Sequence, residues 1–150
     1  MKTLIKNGTV VTAERSFRAD ILIEGEKISQ IASAIDCADA EVVDAAGLLI
    51  LPGGIDVHVH INLPMGATVS SDDYYTGSKA AAFGGTTTMI DFVSQDSGSL
   101  AENVARKRAE AEDKAAIDYS LHMNITRFDE DVVEELTELP SLGIHSIKVF

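Results

Sequence analysis

The sequence predicts an α/β chain in two parts: a small all-β segment over residues 1–51, then parallel β-α-β units over residues 52–150. Three observations carry this expectation. Before Pro52-Gly53-Gly54, short β-forming runs are separated by tight-turn residues; after it, β-branched runs alternate with longer stretches of helical composition. In the later strand-like runs, odd and even positions separate into apolar and polar residues, as a strand with two different faces requires.

Taken in order, "TLIKNGTVVT" places β-formers on both sides of Asn7-Gly8, a pair suited to the positive φ angles of a two-residue hairpin turn. "DILIEGEKISQIA" repeats the arrangement around Glu24-Gly25-Glu26, and "AEVVDA" and "GLLIL" complete the all-β segment. With few large side chains, it is expected to need strands or packing from elsewhere. The strand "IDVHVHI" precedes a helix, "SDDYYTGSKAAAFGG", in which Ser71 is the candidate cap and Asp72 and Asp73 suit the positive helix start. Next come the strand "TTTMIDFV", the charged helix "SLAENVARKRAEAEDKAA", the strand "IDYSLHMNI", the helix "DEDVVEELTELPSL" and the strand "IHSIKVF".

Two architectures fit this alternation, an open doubly wound sheet and a β/α barrel. No G-x-G-x-x-G follows the first strand, so a dinucleotide-binding sheet lacks its main signature. A barrel takes eight strands and about 250 residues, so as a barrel the chain is expected to stop near the middle. Phe150 lies in a β-rich run without a stop signal, which fits truncation better than a natural end.

Charge narrows the partners. Twelve Lys and Arg against 24 Asp and Glu give a net charge of −12, which opposes binding to nucleic acid or an anionic membrane. Cys37 is the single cysteine, so no intrachain disulfide forms and an incidental thiol is expected. The N-terminus lacks the apolar core of a signal peptide, and no apolar run reaches the ~18 residues of a membrane span. A cytoplasmic protein is expected.

The chemistry concentrates in "GGIDVHVHIN". Ile55, Val57, Val59 and Ile61 form an apolar row, while Asp56, His58, His60 and Asn62 form a polar one. Two imidazoles in one interior row are either core side chains with hydrogen-bond partners or ligands of one metal ion; position at the end of the first strand favours ligands. By the same parity, His122 faces the polar side of its strand, as a ligand or as a supporting group. Lys148 lies between Ile147 and Val149 near the C-terminal end of its strand, where barrel enzymes place their chemistry. His145, of opposite parity and near its strand's start, is expected to have no functional role. "RKRAEAEDK" reads as a solvated helix face.

The blocks "LIKNGTVV", "DILIEGEKISQI", "VVDAAG", "LPGGIDVHVH", "AAAFGGTTTMIDF", "AAIDYSLHMNIT" and "GIHSIKVF" resemble successive segments of the dihydropyrimidinase/hydantoinase family of cyclic amidohydrolases. The resemblance covers essentially the whole chain. It implies the first half of a β/α (TIM-type) barrel, preceded by part of a composite β domain. It also implies hydrolysis of the ring amide of dihydropyrimidines or hydantoins to N-carbamoyl amino acids, with two divalent metal ions, expected to be Zn2+. His58 and His60 would bind one ion, and Lys148 matches the lysine that CO2 converts to a metal-bridging carbamate. Burial favours the neutral amine that this addition needs.

In the family the loop after H-x-H helps shape the substrate pocket, which nominates Asn62, Leu63 and Met65 as substrate contacts. Many hydantoinases carry Asp where this chain has Asn62. Later strands of the family supply two more histidine ligands and the catalytic aspartate, so no catalytic residue is assigned here and the chain alone is expected to be inactive. The full-length protein is expected to be a homo-oligomer. An allantoinase-like or dihydroorotase-like hydrolase is the near alternative, although dihydroorotases usually place Arg after the H-x-H pair. A non-catalytic scaffold of the same fold is the other, and retention of His58, His60 and Lys148 weighs against it.

Overall fold

A computed structural model describes residues 1–149 and forms two compact units, Met1–Pro52 and a second beginning at Gly53. The first unit contains β1 (Lys2–Lys6), β2 (Thr9–Val11), β3 (Ser16–Arg18), β4 (Asp20–Glu24), β5 (Lys27–Ala32), β6 (Glu41–Asp44) and β7 (Leu49–Ile50). They make two small sheets, ordered β5-β4-β1-β6 and β3-β2-β7. One core comprises Leu4, Leu22 and Ile35, the other Val10, Ala19 and Ile21.

The expected hairpin at Asn7-Gly8 does not form. β1 pairs with β4 and β6 while β2 pairs with β3 and β7, so Asn7-Gly8 is a corner between two sheets. Tertiary partners override the turn preference. Asn7 adopts φ 64° with its N–H donated to Asp20 Oδ1 at 3.0 Å and its Nδ2 donated to Asp44 Oδ1 at 2.9 Å. Gly8 is needed for close approach, because a Cβ there would lie 2.4 Å from Ile50 Cδ1. The second device does form a hairpin: Glu24 pairs with Lys27 across Gly25-Glu26, with Gly25 at φ 63°.

The second unit has a parallel sheet ordered β13-β12-β11-β8. It is built from β8 (Gly54–Asp56), β11 (Thr86–Ser94), β12 (Asp118–Ile125) and β13 (Ile147–Val149). The helices α1 (Tyr74–Phe83), α2 (Leu100–Ala111) and α3 (Glu130–Leu136) fill the three crossovers, α3 being followed by a 3-10 turn over Leu139–Leu142. A small antiparallel ribbon, β9 (Pro64–Met65) with β10 (Thr68–Val69), precedes α1. Strand order in space follows strand order in the chain, as in a barrel wound in one direction; a doubly wound sheet would reverse at its switch point.

Local sequence explains the helix ends, with one correction. Asp73, not Ser71, caps α1: its carboxylate accepts the Thr76 N–H at 2.8 Å, and Thr76 Oγ1 accepts the Asp73 N–H at 3.1 Å, a reciprocal capping box. Ser99 and Glu102 make the same arrangement at α2. The third helix is shorter than expected, because the chain tightens into the 3-10 turn around Pro140.

The first barrel strand is also shorter than its alternating pattern suggests. Asp56 Oδ1 accepts the His58 N–H at 3.1 Å, and the segment beyond Asp56 is irregular, with the Val59 N–H reaching Ile90 O at 3.1 Å. Nor do Ile55 and Val57 pack under helices; they are 63% and 59% exposed, because β8 is an outer strand of the sheet. At the other edge Ile147 and Val149 are exposed as well, and the expected continuation of that strand to Phe150 lies outside the described residues.

Between these edges the parity reading holds. Val93, Leu121, Met123 and Ile125 pack against Leu100 and Val104 of α2, Val132 of α3, and Leu139 and Ile144. Each such burial contributes about 1.5–3 kcal/mol. The opposite row, including Phe92, His122 and Lys148, is thereby held toward the other face of the sheet.

Candidate metal centre

His58 and His60 occupy the irregular segment directly after β8. Their Nε2 atoms are 3.2 Å apart, with ring centroids 5.1 Å apart and planes at 77°. Two imidazole nitrogens on one tetrahedral zinc, each about 2.0–2.1 Å from it, would sit about 3.3 Å apart. The two tips therefore converge as ligands of one divalent ion do. Partial desolvation, and then the neighbouring His58, hold the half-open His60 imidazole below the ordinary histidine range, which favours the neutral form a metal requires.

Phe92 of β11 gathers the rest. Its ring centroid lies 4.6 Å from that of His58, 5.0 Å from that of His60 in a stacked arrangement, and 5.0 Å from that of His122. Lys148 Nζ stands 4.6 Å from the same centroid. Sheet register produces this clustering: Phe92 is opposite His122 on β12, and Lys148 of β13 is opposite Asn124, two residues further along. His122 Nε2 donates to Val57 O at 3.0 Å, and Nδ1 faces Ser146 Oγ, so His122 ties the H-x-H segment to the strand that carries Lys148. His145 is exposed. Among the described residues no group of three His, Cys, Asp or Glu side chains is placed to hold an ion. The donor set offered here is two imidazoles with Lys148 beside them, which fits part of a metal centre.

The three nominated substrate contacts separate. Asn62 and Leu63 line a cavity of about 170 Å³ beside His60, together with Asp91, Phe92, Lys107 and Glu110. Asn62 adopts φ 51°, and its Nδ2 donates to Glu110 Oε2 at 3.3 Å. Leu63 is anchored by its N–H to Ser70 Oγ at 2.9 Å. Met65 lies on the β9–β10 ribbon, 53% exposed and outside that lining.

Phe92 and Asp91 also belong to this site, although no motif marks them. Asp91 is 1% exposed, on the helix-facing row with Met89 and Val93. Its signal was a lone carboxylate inside the apolar run "TTTMIDFV", where an acid needs a partner. That partner is Lys107, whose Nζ lies 3.0 Å from Asp91 Oδ2 and whose side chain is only 12% exposed. The run "RKRAEAEDK" is therefore not uniformly solvated, because α2 turns Lys107 inward toward that acid.

The amidohydrolase family model matches residues 49–149. The D-hydantoinase of Geobacillus stearothermophilus is 47% identical over 152 residues, covering 100% of this chain and 32% of that protein. The dihydropyrimidinase of Dictyostelium discoideum is 45% identical over 150 residues, covering 98% of this chain and 30% of that protein. The crystal structure of dihydropyrimidinase from Brevibacillus agri NCHU1002 matches with a TM-score of 0.96 at 49% identity, covering 100% of this chain and 33% of that one. The chain thus spans about a third of the length of the relatives it matches. A converging H-x-H pair, a one-directional parallel sheet and these matches agree: the chain belongs to the amidohydrolase family.

Proposed function

We propose that this chain is the N-terminal portion of a zinc-dependent cyclic amidohydrolase that opens the ring amide of dihydropyrimidines or hydantoins to give N-carbamoyl amino acids. The observation that carries the reading is the convergence of His58 Nε2 and His60 Nε2, 3.2 Å apart, over the Phe92 ring that also lies against Lys148. His58 and His60 would hold one ion. Lys148 would hold both as a carbamate: its neutral amine forms an N–C bond with CO2 and releases a proton, leaving an anionic group with two oxygen donors. When bound, a pair of divalent ions supplies Lewis acidity and an activated water.

The chain's own residues bound the site. Phe92 lies against both imidazoles, His122 holds the backbone at Val57, and Leu63 and Asn62 wall the cavity beside His60. Met65 would contact substrate from the exposed ribbon. The complete polypeptide is proposed to be a cytoplasmic homo-oligomer that binds neither nucleic acid nor membrane, the last two in keeping with the charge of −12 on these 150 residues.

Metal analysis and turnover of the complete polypeptide test this. About two zinc ions per chain, with hydantoin or dihydrouracil opened in preference to allantoin and dihydroorotate, are expected. Absence of bound metal after reconstitution with zinc and bicarbonate would replace the enzyme with a non-catalytic scaffold. Preference for allantoin or dihydroorotate would replace the substrate class.

A further inference from the structure

We infer that Asp91 and Lys107 are positioning residues that clamp the backbone at Ile61, and so set where His60 and the following loop stand. Ile61 directly follows the second histidine. Its N–H donates to Asp91 Oδ1 at 3.3 Å, and its carbonyl accepts from Lys107 Nζ at 2.6 Å. Its side chain is buried against Tyr74, Met89 and Ala111. Both backbone polar groups and the side chain of one residue are therefore held at once, in a stretch that belongs to no strand or helix.

The clamp is internally paired. Lys107 Nζ lies 3.0 Å from Asp91 Oδ2, and Tyr74 Oη donates to the same oxygen at 2.9 Å. Asp91 Oδ1 also accepts the Phe92 N–H at 2.7 Å, which links the clamp to the ring beneath the histidines. Glu110, one turn along α2, takes the other side of Lys107 at 3.3 Å and the Asn62 amide at 3.3 Å. Charge-assisted bonds of this kind are the strong ones in a low-dielectric interior. Their geometric consequence falls on the residue before Ile61, which is His60, and the residue after it, which begins the cavity wall.

The backbone clamp stands on geometry alone; its effect on metal affinity rests on the functional reading above. The test compares Asp91→Asn, Lys107→Met, which keeps the apolar stem, and Lys114→Met, an exposed lysine just past α2. Hydrogen exchange of residues 57–63 is followed by mass spectrometry, and zinc affinity by chelator competition. Each clamp variant is expected to speed exchange of that segment by about tenfold or more. It should also weaken zinc by about 10- to 100-fold, as loss of a supporting partner does, while the control changes neither. Unchanged exchange in both clamp variants overturns the inference. Should Asp91→Asn fail to fold, Lys107→Met alone decides it. Faster exchange in a protein that binds no zinc would retain the clamp and refute the metal reading, so the two failures are distinguishable.

Discussion

Tyr74→Phe removes a single hydroxyl from a fully buried side chain of the second unit, and its cost can be worked out from the contacts. Tyr74 has no exposed surface and gives its hydroxyl to Asp91 Oδ2 at 2.9 Å. Burial, reinforced by the Asp91 charge, pushes the phenol far above its ordinary range, so it remains a donor at every working pH. A hydrogen bond to a charged group contributes about 1.5–3 kcal/mol. Asp91 would keep Lys107 and the Ile61 and Phe92 N–H groups, so the loss falls in the lower half of that range, about 2 kcal/mol. The ring's packing against Tyr119, 5.6 Å away between centroids, is unchanged.

The chain supplies its own assay. It contains no tryptophan and three tyrosines, Tyr74, Tyr75 and Tyr119, all in the second unit, so tyrosine fluorescence reports that unit's unfolding alone. Two reporters survive the substitution. With a slope of about 1–3 kcal/mol per molar urea, the midpoint should fall by about 1 M with the slope preserved. A midpoint within about 0.2 M of the parent would show that Asp91 does not depend on the hydroxyl and refute the reasoning.

Three further outcomes are expected. In the complete polypeptide, His58→Ala and His60→Ala should each abolish ring opening and release metal, whereas His122→Ala should lower metal affinity by about 10- to 100-fold; equal effects at all three would make His122 a ligand instead. Asp20, whose carboxyl is held below the usual carboxylate range by the Asn7 N–H and then the Ile35 N–H, stabilises the first unit above the unfolded value of about 3.9. That stability is lost as pH falls through the folded value, so Asp20→Asn should flatten the acid limb of a circular-dichroism pH titration, and an unaltered limb would discount the bonds. Asn62→Asp would set a second carboxylate against Glu110, lowering stability at pH 7 by about 0.5–1 kcal/mol in urea denaturation; equal or greater stability would show that the Asn62–Glu110 contact is not formed.

How much was legible beforehand differs from residue to residue. The odd-even split in "IDYSLHMNI" correctly sent Leu121, Met123 and Ile125 to the helices and His122 to the opposite row. The same rule applied to "IDVHVHI" grouped His58 with His60 although the strand stops at Asp56, because the two side chains converge on Phe92 without ladder pairing. In the loop after the H-x-H pair, Asn62 and Leu63 reach the cavity and Met65 does not, a distinction set by how the ribbon folds back on itself.

By itself, then, the sequence determined the periods of the elements, their order, the parity of the polar rows and the identity of the two imidazoles. These depend on residues within a few positions of one another, whose geometry is nearly universal. Tertiary structure alone decided that Asn7-Gly8 is a corner, that Lys107 turns inward and that Phe92 lies beneath the candidate ligands. Each of those outcomes depends on which partner approaches in space. Lys107 meets the carbonyl of Ile61 across 46 positions of chain, and no local pattern encodes that meeting. It follows from the pairing of β8 with β11 and from the apolar face that seats α2, a packing solution reached by the second unit as a whole.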